Sequence, residues 1–136
     1  MKNRSSFEKD SSQLQQIFRF LNESWESYSL ETKIKSELEL AVEELFMNAV
    51  RHNTDDNSDV HLCVDVQSNS VEISVSSKEE KPFDITKTKK LDLDDYIAKQ
   101  KSGGLGIHLI KEMMDDIRFD YSNGISTITI VKNLPA

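Results

Sequence analysis

The chain has 136 residues, a formal charge of −7 and 37% apolar residues. That length suits a single domain, residues 1–136, whose core needs no disulfide staples. The acidic balance argues against a general nucleic-acid binder, which needs basic surface to neutralise phosphate, but leaves room for a small anion held by a local patch.

The lone cysteine, Cys63, cannot pair within the chain, which fits a reducing, cytoplasmic setting. The opening segment MKNRSSFEKDSS has no apolar run of the signal-peptide type, and no stretch is long enough to cross a bilayer. Residues 1–10 read either as a short edge strand anchored by Phe7 or as a frayed terminus. From Gln13, apolar residues at Leu14, Ile17, Phe18, Leu21, Trp25 and Tyr28 follow a helical spacing. Ser11 or Ser12 can cap that helix. A second helix is predicted from about Glu31 to Arg51, with Ile34, Leu38, Ala41, Val42, Leu45 and Ala49 on one face.

HNTDDNSD ends that helix, and VHLCVDV (60–66) and VEISVS (71–76) read as a hairpin around QSNS. KEEKPFD breaks the pattern, because Pro82 lacks the amide hydrogen a central strand needs. Residues 84–104 are the least regular, with one short helix predicted at 93–99. A connection this long is either a functional lid or a tolerated surface insertion. A helix from Leu105 to about Asp115 then buries Ile107, Leu109, Ile110, Met113 and Met114. IRFDY and ISTITIVKNL close the chain as a hairpin, with Asn123-Gly124 as its turn signal. A sheet with helices stacked on one face buries both kinds of apolar surface economically.

Two stretches carry candidate chemistry. In KSGGLGIHLIKEMMD, Gly103 and Gly104 permit close approach of a ligand, and Gly106 falls in the first turn of the helix. Free amide hydrogens at such a helix start favour an anion. The stretch lacks the lysine and hydroxyl ending of a P-loop and follows no clear strand. Alone it reads either as a phosphate site or as a hinge. In ELAVEELFMNAVRHN, Glu44 and Asn48 share one helix edge, with Arg51 projecting nearby. A carboxylate and an amide there can hold magnesium, Glu44 can accept a proton, and Arg51 can neutralise a phosphate. The bland alternative is a solvated helix face. His52 reads as a packing histidine or a ligand, and no metal-ligand spacing joins it to His61 and His108.

Together these stretches resemble the GHKL ATPase family, which shares the Bergerat ATP-binding fold. The likeness is greatest to the small bacterial anti-sigma-factor serine/threonine kinases of the switch-protein type, and covers about residues 30–134. AVEELFMNAVRHN is similar to the family's asparagine box, and SGGLGIHLIKEMMDDIRFDY to its glycine box. The resemblance implies an α+β two-layer sandwich, with a mixed, largely antiparallel sheet packed on one face by about three helices. It implies ATP and Mg2+ as cofactors and 84–104 as an ATP lid. Glu44 would be the general base, Asn48 the magnesium ligand and Arg51 a phosphate neighbour. Gly103, Gly104, Leu105 and Gly106 would cradle phosphates, and Thr129 would lie on the strand lining the adenine pocket. The implied partners are a small anti-sigma-factor antagonist, a sigma factor, or a second copy of the chain, with no direct role for nucleic acid or membrane. Leu14, Phe18, Trp25 and Tyr28 can serve a dimer interface or the core equally well.

One part of the family pattern is altered. The family places an aspartate that reads the adenine amino group, and then a glycine, before a PFD element. Counted back from Pro82, Phe83 and Asp84, those positions hold Lys78 and Glu80. A lysine cannot accept the adenine amino hydrogen, although Glu79 can substitute if the loop shifts. Two readings follow: a working kinase with altered base recognition, or a binding module that regulates a partner without ATP. A sensor-kinase catalytic domain acting on histidine is a third, weaker reading, since no phosphoacceptor helix region accompanies the motifs.

Overall fold

The computed structural model describes residues 2–52, 58–79 and 104–135, with the backbone alone described at 52 and 104–107. Five strands form one sheet in the order β1-β2-β3-β5-β4, every neighbouring pair antiparallel. They are β1 (Lys2–Phe7), β2 (Val60–Val66), β3 (Ser70–Lys78), β4 (Asp116–Ser122) and β5 (Ile125–Asn133). The described helices are α1 (Leu14–Trp25), α2 (Thr32–His52) and α3 (Gly104–Met113). This is the α+β arrangement that the alternation of helical and strand patterns predicts. The short helix expected at 93–99 and most of the expected lid lie outside the described residues.

Alternation decides which strand residues meet the helices. Val60, Leu62, Val64 and Val66 of β2 are buried, as are Val71, Ile73 and Val75 of β3 and Ile128 and Ile130 of β5. They join Leu38, Ala41, Val42, Leu45 and Phe46 of α2 and Ile110 of α3 in one core. The intervening residues, among them His61, Cys63, Ser74, Ser76, Thr127 and Thr129, fall on the opposite, open face.

Helix α1 departs in detail from its predicted stripe. Phe20 is buried along with Ile17, Leu21 and Trp25, whereas Leu14, Phe18 and Tyr28 are half-buried. Phe20 packs edge-on against Phe7 of β1, ring centroids 5.8 Å apart. That contact comes from a distant strand, so the spacing within the helix does not show it. The cap also differs: Asp10 accepts from the amide of Ser12 at 3.1 Å and starts a short 3-10 turn, Ser11–Gln13, ahead of α1.

The β4–β5 turn has Asn123 at φ 54° and Gly124 at φ 78°. Positive φ at both central residues suits the right-handed twist of a two-residue hairpin, and Asn-Gly tolerates it best. Among the described residues no helix is long and apolar enough to cross a membrane.

Candidate functional site

Glu44, Asn48 and Arg51 lie on α2, which packs against both α3 and β3. Asn48 is 4% exposed. Its Oδ1 atom is buried without a hydrogen-bond partner among the described residues. Such an atom costs stability unless something supplies the missing contact. An oxygen in this condition fits a hard cation, or a water held by one.

Glu44 is half-buried. Its carboxyl pKa is raised, chiefly because burial disfavours the charged form; Arg51 opposes the rise and Glu43 adds to it. Glu44 is therefore a stronger base than an exposed glutamate. Arg51 itself is exposed, which leaves its guanidinium accessible to an anion.

Gly104, Leu105 and Gly106 form the first turn of α3, and Gly103 lies outside the described residues. The far end of α3 is fixed in place. Lys132 of β5 donates to the Met113 carbonyl at 2.7 Å and pairs with Glu37 of α2 at 3.4 Å. A cation on the last carbonyls of a helix complements its dipole. The anchoring sits at the end of the helix opposite the glycines.

The structure separates two positions that family spacing brings together. Thr129 is on the open face of the sheet, its hydroxyl 3.1 Å from that of Ser74. The sheet therefore lies between Thr129 and Asn48. Lys78 is exposed, and by alternation it belongs to the open face as well. Glu80 lies outside the described residues.

Glu79, by contrast, is 9% exposed on the helix-facing side, in line with Val75 and Ser77. Its Oε2 accepts from Ser126 at 2.9 Å and its Oε1 from Ser77 at 3.4 Å. Its amide donates to the Gly124 carbonyl and its carbonyl accepts from the Tyr121 hydroxyl, both at 2.8 Å. The strand pattern holds the signal for this: extending the buried series Val71, Ile73, Val75 by twos reaches Ser77 and Glu79, never Lys78. Counting back from PFD counts across an irregular loop and misses it.

The comparisons with known proteins agree with this architecture. A family model described as histidine kinase-like ATPase domain matches residues 7–132. A serine-protein kinase RsbW of Oceanobacillus iheyensis is 28% identical over 95 residues, 65% of this chain and 60% of the relative. An RsbW of Staphylococcus aureus is 30% identical over 99 residues, 68% and 62% of the two chains. This chain thus spans less than two thirds of the length of these curated relatives. Among solved structures, the RsbU and RsbW domains of a Mycobacterium tuberculosis protein superpose with a TM-score of 0.69 at 13% identity, covering 100% of this chain and 34% of that one. A chain of the SiaB–SiaC complex from Pseudomonas aeruginosa gives 0.64 at 12%, covering 97% and 89%. These two likenesses concern the fold. With the family model matched across nearly its whole length, the chain belongs to the histidine kinase-like ATPase domain family.

Proposed function

We propose that the chain is an ATP-binding serine/threonine kinase of the anti-sigma-factor type, acting on a small regulatory partner protein. The observation that carries this reading is the Oδ1 of Asn48, buried and without a hydrogen-bond partner among the described residues, on the same helix as a glutamate made more basic by burial. Magnesium bound with ATP would supply charge neutralisation at the transferring phosphoryl group. Asn48 would hold that ion, directly or through water. Glu44 would take the proton from the attacking hydroxyl. The backbone amides of Gly103, Gly104, Leu105 and Gly106 would bind phosphate oxygens, and Arg51 would offset their charge. Glu79 would accept the amino hydrogen of the base, in the role that Lys78 cannot fill.

The RsbW relatives support a protein-serine substrate by their name, and SiaB supports action through a partner protein. For this chain the partner class is an anti-sigma-factor antagonist or a sigma factor, and a homodimer suits the same role.

A second reading, a partner-binding module without ATP, draws on Glu79. Its carboxylate already holds two hydroxyl hydrogens and so is satisfied without a base. Thermal melting with magnesium-ATP separates the two, since a ligand bound only to the native state raises Tm. A kinase gives a magnesium-dependent rise that Asn48→Ala abolishes. It also gives phosphate transfer to the partner that Glu44→Ala abolishes without unfolding the protein. No rise, and no competition by ADP, leaves the module.

A further inference from the structure

The open face of the sheet carries a second group of polar side chains, on the side away from α2. Arg4 pairs in register with Cys63 and Cys63 with Ser74; Ser6 pairs with His61 and His61 with Ser76. Alternation sends all six side chains to the same face. They line a cavity of about 480 Å³, and among the described residues no carboxylate lines it. That is notable in a chain with 24 acidic residues against 17 lysines and arginines.

Most of the polar side chains that line it are donors. The Arg4 guanidinium is exposed and has no partner among the described residues. Ser6 Oγ lies 2.7 Å from His61 Nδ1. With Ser6 donating there, the imidazole keeps its proton on Nε2, which is a further donor. Ser74 and Ser76 are held from behind, 3.1 Å from Thr129 and 2.9 Å from Thr127. With the threonines donating, both serine hydrogens are free to turn into the cavity. The described strand carboxylates on this face have other contacts: Asp65 accepts from Gln67 at 3.0 Å, Asp120 accepts from Ser122 at 3.1 Å, and Glu72 and Asp116 pair with Arg118 at 3.6 and 3.0 Å.

We infer that this cavity binds a single phosphate-type oxyanion through Arg4, His61, Ser74 and Ser76, as a site separate from the proposed nucleotide pocket. An arginine fork matches two oxygens of a tetrahedral anion, and the hydroxyls and the imidazole supply the remaining donors. Binding there is independent of ATP, because the sheet separates the two places.

The test is amide NMR of the 15N-labelled chain, titrated at fixed ionic strength with inorganic phosphate and, separately, with O-phosphoserine. Saturable shifts at Arg4, Cys63, Ser74 and Ser76 are expected, weakened about tenfold by Arg4→Ala and unchanged by Asn48→Ala. A tighter response to O-phosphoserine identifies a phosphate ester as the ligand, and an equal response identifies free phosphate; both support the site. Shifts that never saturate, that keep their full affinity in Arg4→Ala, or that are confined to residues 104–106 overturn it.

Discussion

Ser126 donates to Glu79 across the β3–β5 pair at 2.9 Å, with both residues buried. Replacing Glu79 with alanine leaves the Ser126 and Ser77 hydroxyls buried without their acceptor. The expected loss is roughly 1–3 kcal/mol of stability, read as a lower urea midpoint. Glu79→Gln keeps an acceptor oxygen and should recover much of that stability while still weakening adenine nucleotides. Equal nucleotide affinity in native protein and Glu79→Gln would remove Glu79 from base recognition.

Asn48 should behave in the opposite way. Its Oδ1 makes no hydrogen bond among the described residues, so Asn48→Ala gives up little there. The stability of the free protein should change by about 1 kcal/mol or less, while the Tm rise with magnesium-ATP disappears. A large loss of stability with nucleotide binding intact would mark Asn48 as structural.

Glu44 makes stability depend on pH. Its carboxyl pKa is raised above the ordinary value of 4.5, so the folded state favours the protonated form. The stability associated with that preference is fully present below the unfolded pKa and is lost as pH rises through the folded one. Glu44→Gln removes the loss. The variant should melt higher than native protein at neutral pH, with the gap closing in acid below 4.5. Paired melts at pH 7 and pH 4 decide this, and a gap of the same size at both pH values contradicts it.

Lys132 joins three elements through its bonds to Met113 and Glu37, and both members of the ion pair are 17% exposed. Lys132→Met removes the cation from the end of α3 and leaves Glu37 without its partner. The expected cost is roughly 1–3 kcal/mol, less than for a fully buried pair. A double-mutant cycle with Glu37→Gln should show coupling between the two sites. Strict additivity would mean that the Met113 contact carries the whole effect.

Much of the fold can be read from side-chain periodicity. The 60–66 strand stands where its alternation places it, and Asn123-Gly124 marks the last hairpin because few residue pairs tolerate two positive φ values in succession. Phe20 escapes such reading because its partner, Phe7, comes from another element. Within the site, Asn48 is legible as a polar residue on a core-facing helix, yet the lack of a partner for its Oδ1 among the described residues is a property of the packed interior. Lys78 and Glu79 show that register outweighs counting: a shift of one residue in a strand exchanges the two faces of a sheet. The same rule places Thr129 beside Ser74 instead of among the helices.

Strand order has a consequence for how the chain folds. The β2–β3 and β4–β5 hairpins join neighbours in sequence, but two seams do not: β1–β2 joins Ser6 to His61 and β3–β5 joins Ser74 to Thr129, each across 55 positions. Closing these two seams is the slow, entropically costly part of assembling the sheet. The closure cost grows only with the logarithm of loop length, by about 0.6 kcal/mol for each doubling. Insertions or deletions between Glu79 and Gly104 therefore cost the sheet little in closure entropy.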